Sequence, residues 1–117
     1  MTEQAATPIL SLEVEHKGDQ AIVHCHGRLI SEVSGNFYTR VCKLIPDHKC
    51  IVLDLCDLSH MDSMGLGTVA RLYVSVRSKG GSLQLINMSK SVRHLLGITN
   101  LLNVFGDMCE HGVTLGF

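Results

Sequence analysis

Ser63 stands in chemically suggestive company, because Asp57, His60 and Asp62 all precede it within the span 57–63. These residue types serve as nucleophile, base and orienting acids in acyl transfer. Groups crowded on one loop rarely converge as a triad, however. The Gly-x-Ser-x-Gly elbow is also absent, since Met61 stands two residues before the serine. A hydrolase is therefore not expected, and His60 reads as a partly exposed loop imidazole. A second cluster, His24-Cys25-His26, would place both imidazoles on one face of a strand with the thiol on the other. A metal there would need third and fourth ligands that the neighbouring sequence does not supply, so no metal and no cofactor are expected. The five cysteines, Cys25, Cys42, Cys50, Cys56 and Cys109, are odd in number and contain no C-x-x-C pair. They read as buried thiols of a reducing compartment.

The elements that must position Ser63 follow from apolar spacing. Leu10, Leu12 and Val14 alternate with polar neighbours, and a second apolar run over 21–26 follows Gly18-Asp19, which predicts a hairpin. Val33, Phe37, Val41, Leu44 and Ile45 recur at helical spacing from Glu32 until Pro46. Ile51, Val52, Leu53 and Leu55 mark a central strand covered on both faces. Leu66, Val69, Ala70, Tyr73 and Val76 mark a second helix closed by Lys79-Gly80-Gly81, and Leu83 and Leu85 a further strand. A short helix over 89–96 turns Val92, Leu95 and Leu96 inward, and 101–105 is predicted to add a last strand. The order β-β-α-β-α-β-α-β gives an α/β domain, a mixed central sheet with helices packed on it. Phe37, Tyr73 and Phe105 are expected in the core rather than on a stacking surface.

The chain of 117 residues, 45% hydrophobic and 18% charged, fits one domain over 1–117 with a core at about 9–105. A net charge of -1 excludes a strong chain-wide attraction to nucleic acid, so no direct nucleic-acid partner is expected. No run is long enough for membrane insertion. Glu3, Glu13 and Glu15 stand where a signal peptide would be basic and then apolar, which points to the cytoplasm. Residues 1–62 hold nine acids against five bases, and residues 63–117 two acids against five bases. Arg71, Arg77, Lys79, Lys90 and Arg93 either face water or form a face that meets an acidic partner or a phosphate.

Ser63 thus lies between a buried strand and an amphipathic helix, at the carboxyl end of a strand where open α/β sheets place their sites. Its hydroxyl falls on the first helical turn, beside unpaired N–H groups and the positive end of the macrodipole, a place that tolerates added negative charge. Either Ser63 or Asp62 can be the N-cap, and both arrangements leave the hydroxyl reachable. Gly65 and Gly67 cost helix propensity and suggest close approach by a partner's surface or by a neighbouring strand.

The run Asp62-Ser63-Met64-Gly65-Leu66-Gly67, preceded by Val52-Leu53-Asp54-Leu55, resembles the signature of the STAS domain. This family comprises sulfate-transporter tails and anti-sigma-factor antagonists. Gly27-Arg28-Leu29 and Gly80-Gly81 are also similar to family features, and the likeness extends over about 9–105. The resemblance implies that a serine kinase doubling as an anti-sigma factor phosphorylates Ser63. It further implies that the unmodified form binds this kinase and so frees a sigma factor, and that a serine phosphatase reverses the modification. Asp57, Ser59, Asp62, Ser63, Met64 and Gly65 are then the partner-binding residues. Ile30 stands where Asp is common in the family, and Met64 where a small residue is usual. The end of the chain, with Gly112 and Gly116, does not read as the long closing helix of many relatives. The alternative role is a STAS interaction or ligand-sensing module of a signalling scaffold or transporter complex.

Overall fold

The computed structural model describes residues 8–98, 108–109 and 112–114. The alternating segment forms β1 (Leu10–Lys17), and β2 (Gln20–Leu29) turns back antiparallel to it, with Lys17 opposite Gln20 and Leu10 opposite Gly27. Then follow α1 (Ser31–Cys42), a 3-10 turn (Ile45–Asp47), β3 (Cys50–Met61), α2 (Ser63–Ser78), β4 (Ser82–Ile86) and α3 (Lys90–Ile98). Two short strands, β5 (Met108–Cys109) and β6 (Gly112–Thr114), close the described chain. The sheet order is β1-β2-β3-β4-β6-β5. It is mixed: β2, β3 and β4 run parallel, while β1 and β6 pair antiparallel to their neighbours. The strand predicted over 101–105, and Phe105 with it, lies outside the described residues.

The core sits between one sheet face and the helices. Ala21, Val23 and Cys25 of β2, Ile51, Leu53 and Leu55 of β3, and Leu83 and Leu85 of β4 point into it. Phe37 and Val41 of α1, Leu66, Val69, Leu72 and Val76 of α2, and Val92 of α3 meet them there, with Tyr73 and Leu95 half-buried against the edge. Tyr38 joins the two larger helices. Its hydroxyl lies 2.6 Å from the Ser75 hydroxyl, and the Arg71 guanidinium stands 4.1 Å over its ring. Arg71, Arg77, Lys79, Lys90 and Arg93 are all exposed.

Three expectations change. The first helix ends at Cys42 rather than running to Pro46, where the chain tightens into i→i+3 bonding, the Leu44 N–H donating to the Val41 carbonyl at 2.9 Å. Pro46 instead sits second in the 3-10 turn, where its missing N–H is not needed. The stretch holding Asp57 and Ser59 is not a loop but the second half of β3, paired in parallel with β2 as far as Leu29 opposite Met61. Two register shifts interrupt that pairing, so burial passes from alternation to every third residue at Leu55, Leu58 and Met61, and the period-2 signal is lost. The cysteines are not uniformly buried: Cys25 is, Cys42 and Cys50 are half-buried, and Cys56 is exposed beside the first register shift. Burial, with the Asp54 charge adding to it, pushes the Cys25 thiol up to about 12 and makes it inert at neutral pH.

Candidate functional site

Asp62 has extended backbone, with φ at -99° and ψ at -178°, and is the N-cap of α2. Its Oδ1 accepts the Gly65 N–H at 2.8 Å, while Ser63 is the first helical residue and is exposed. The choice between the two caps therefore falls on Asp62. The other carboxylate oxygen, Oδ2, accepts the Ser31 N–H at 2.9 Å. Ser31 opens α1, whose own cap position is Ile30, a side chain with no oxygen to offer. One carboxylate thus closes the N-termini of two of the helices that pack on the sheet, α1 and α2. Burial works against its charge. The N–H groups of Gly65, Ser31 and Met64, with His60 nearby, outweigh that effect and hold Asp62 below the usual carboxylate range.

Backbone packing brings the two helix starts together. The Asp62 N–H donates to the Leu29 carbonyl at 3.2 Å. A Cβ placed on Gly65 would lie 2.2 Å from that same carbonyl oxygen, so only glycine lets the first turn of α2 sit on the end of β2. The close approach suggested by the paired glycines is therefore to a neighbouring strand at Gly65. Gly67 has nothing within 4 Å of its would-be Cβ and faces outward with Ser63 and Met64, the latter 58% exposed. Gly27 has the same kind of reason as Gly65: its φ of +112° and a would-be Cβ 2.2 Å from the Ile9 carbonyl oxygen admit no side chain.

The remaining residues expected at the site are spread more widely. Ser59 donates its hydroxyl to the Gly27 carbonyl at 3.1 Å, which ties β3 to β2. Asp57 turns to the sheet face opposite the core, where it accepts from His26 Nδ1 at 2.8 Å. Ser63, Met64 and Asp62 are thus grouped at the start of α2, whereas Asp57 serves the far face. No triad is assembled: Asp62 is committed to two backbone N–H groups and Asp57 to His26. Among the described residues no hydrogen bond joins Ser63 to His60. Nor, among the described residues, is any group of three or more His, Cys, Asp or Glu arranged to hold a metal ion. His24 and His26 nonetheless have acidic neighbours that the adjacent sequence does not show, because Glu13, Glu15, Asp54 and Asp57 on the adjoining strands all reach their ring nitrogens.

Sequence reasoning missed Ser31, Leu29 and His26 as parts of this arrangement. Only Ser31 had a readable signal, namely a helix that starts after Ile30 without a capping side chain.

This strand-to-helix junction, on a mixed sheet with helices on one face, agrees with the family comparison: the STAS domain profile matches residues 11–113. The chain belongs to the STAS domain family. It is 31% identical over 97 residues to an anti-sigma F factor antagonist of Paenibacillus polymyxa, covering 81% of this chain and 83% of that one. The crystal structure of a putative anti-sigma factor antagonist from Thermotoga maritima aligns with a TM-score of 0.74 at 25% identity, over 80% of this chain and 81% of that one. The Bacillus cell fate determinant SpoIIAA in its phosphorylated form shares the fold, with a TM-score of 0.65 at 20% identity over 78% of this chain and 85% of that one. No helix among the described residues is long and apolar enough to cross a membrane.

Proposed function

We propose that this chain is a cytoplasmic, non-enzymatic anti-sigma-factor antagonist switched by phosphorylation of Ser63. The unmodified form binds an anti-sigma serine kinase and releases the sigma factor, phosphate on Ser63 blocks that binding, and a serine phosphatase restores it. The observation that carries this reading is an exposed Ser63 hydroxyl at the first position of α2, next to a carboxylate already consumed in capping. The contact surface would then comprise Ser63, exposed Met64 and open Gly67, with Asp62 and Gly65 shaping the turn and Asp57 and Ser59 fixing the strand that leads to it. Kinship with antagonists of the same length range supports the reading.

The energy of such a switch belongs at the contact rather than in the fold. A phosphate adds about -1.5 to -2 charges. A free helix N-terminus would stabilise an exposed anion by about 0.3–1 kcal/mol. Here Asp62 already occupies those N–H groups and repels a second anion, so less than that is gained. Neither amount repacks a core, and a partner surface that must desolvate the phosphate carries the larger penalty. Amide shift changes on phosphorylation should stay within 61–67 and at Ser31, which shares the Asp62 carboxylate. Changes spreading through β2 and β4 would show a conformational switch instead.

The deciding experiment incubates the chain with ATP and the anti-sigma kinase of the same genome, and maps phosphate by peptide mass spectrometry. One phosphate on Ser63 is expected, absent from Ser63→Ala, with Ser59, Ser89 and Ser91 as internal controls. Titration calorimetry should then show persistent kinase binding by Ser63→Ala and weak binding by the phosphorylated chain. Ser63→Asp should fall between them, since it carries one charge. Phosphate mapped mainly to a control serine would remove the site. Equal affinity of the two forms would remove the switch and favour the interaction or ligand-sensing module.

A further inference from the structure

On the sheet face turned away from the core, His24 and His26 each stand between two carboxylates. His24 Nδ1 lies 2.9 Å from Asp54 Oδ2 of β3, and its Nε2 3.1 Å from Glu15 Oε1 of β1. His26 Nδ1 lies 2.8 Å from Asp57 Oδ2 of β3, and its Nε2 2.9 Å from Glu13 Oε1 of β1. An ionised carboxylate only accepts hydrogen bonds, and a neutral imidazole carries one N–H. Two carboxylates on one ring are satisfied together only when both nitrogens are protonated. As an imidazolium each ring can bond across three strands, and on losing its proton it must release one carboxylate or hold it against a lone pair.

We infer that His24 and His26 form a proton-operated clasp that ties edge strand β1 and the irregular second half of β3 to β2, and that opens as the two rings deprotonate. Charged groups approach the rings from both flanking strands, and exposed Arg28 follows His26 on β2 itself. From β1 come Glu13 and Glu15, with the Lys17 ammonium 3.4 Å from Glu15. From β3 come Asp54, Asp57 and the exposed Cys56, whose N–H donates to Asp54 Oδ1. From the turn after β4, Asn87 donates to the same oxygen at 3.0 Å. Four carboxylates thus face two imidazoliums and one ammonium, so each lost proton adds repulsion as well as removing a bond.

The electrostatics agree in sign. Hydrogen bonding to Glu15 and then Asp54 raises His24 above the ordinary histidine value, and hydrogen bonding to Asp57 and then Glu13 raises His26. A group whose folded value is raised contributes fully below its unfolded value, about 6.5, and loses that contribution as pH rises through the folded value. Both register shifts of β3 lie at or beyond the clasp, next to His26 and before the strand delivers Asp62 and Ser63. The clasp therefore holds the stretch of β3 where ladder pairing is interrupted.

Imidazole nitrogen NMR on the intact chain tests this directly. Both rings should titrate above about 6.5 and carry protons on both nitrogens at pH 6. A ring that titrates at or below that value overturns the clasp. Amide exchange supplies the mechanical readout: β1 and 54–60 should be better protected in the wild type than in His24→Gln/His26→Gln at pH 6, and the advantage should shrink as the pH is raised to 8.5. An advantage of equal size at both pH values would reduce the histidines to packing. Glu13→Gln keeps the test decisive if the double variant does not fold. It should lower the His26 titration and leave His24 in place, and an unmoved His26 would overturn the assignment. None of these readouts depends on Ser63 being phosphorylated.

Discussion

Asp62 and Ser63 are neighbours with opposite duties: one is engaged at both oxygens, the other is left open. Truncating a capping carboxylate costs about 0.5–2 kcal/mol. Asp62 caps two helices, so Asp62→Ala should fall in the upper half of that range in urea unfolding, and it should also raise amide exchange at Ser31 as well as Gly65. Loss confined to Gly65 would show that the α1 cap contributes nothing. The two nearby glycines separate in the same assay. Gly65→Ala drives a Cβ to 2.2 Å from the Leu29 carbonyl oxygen and must push α2 off β2, so a loss above about 2 kcal/mol is expected. Gly67→Ala meets open space and should gain up to about 1 kcal/mol from helix propensity. If Gly67 belongs to the contact surface, that more stable variant should nonetheless bind the kinase less tightly.

At the scale of elements, the join between α1 and α2 rests on Tyr38 as well as on apolar packing. Tyr38→Phe keeps the ring beneath Arg71 but removes the 2.6 Å bond to Ser75, so unfolding should cost about 1 kcal/mol less than in the wild type. A change several times larger would mean that the helix pair depends on that bond for its geometry. The elements themselves were legible because each carries its own period: alternation in β1, helical spacing in α2, an unbroken apolar run in the first half of β3. The second half of β3 was not legible. Its buried residues Leu55, Leu58 and Met61 follow no strand period, since the register shifts that set their spacing are made by pairing with β2.

For the whole molecule, the shifted groups predict a stability maximum bounded on both sides. Asp62, Asp54 and Glu15 are held below their ordinary range, so their contributions are present above the unfolded carboxylate values of about 4 and are lost as pH falls through the folded values. For Asp54, burial opposes the shift, and the bonds from Asn87, Cys56 and His24 outweigh it. For Glu15, the His24 bond leads and the Lys17 charge adds to it. His24 and His26 act in the other direction and withdraw stability as pH rises above about 6.5. Urea unfolding between pH 3 and 9 should therefore show a decline on both limbs. The decline between about pH 6.5 and 8 should vanish in His24→Gln/His26→Gln, leaving only the loss near pH 9 that buried Cys25 causes as the unfolded thiol ionises, and if the earlier decline persists unchanged the clasp is not its source.

The sequence by itself determined the types of the elements from β1 to α3 apart from the second half of β3, the hairpin, the central position of the strand before the site, and Ser63 at the strand-to-helix junction. Each of these depends on residues close together in the chain, whose periodicity and capping preferences act locally. Tertiary structure alone decided which partners those residues take. Asp62 reaches Ser31, His26 reaches Asp57, and Gly65 lies under the Leu29 carbonyl, each across a whole intervening element. No local pattern encodes such pairings, because they exist only once β2 and β3 lie side by side and bring the starts of α1 and α2 to the same end of the sheet.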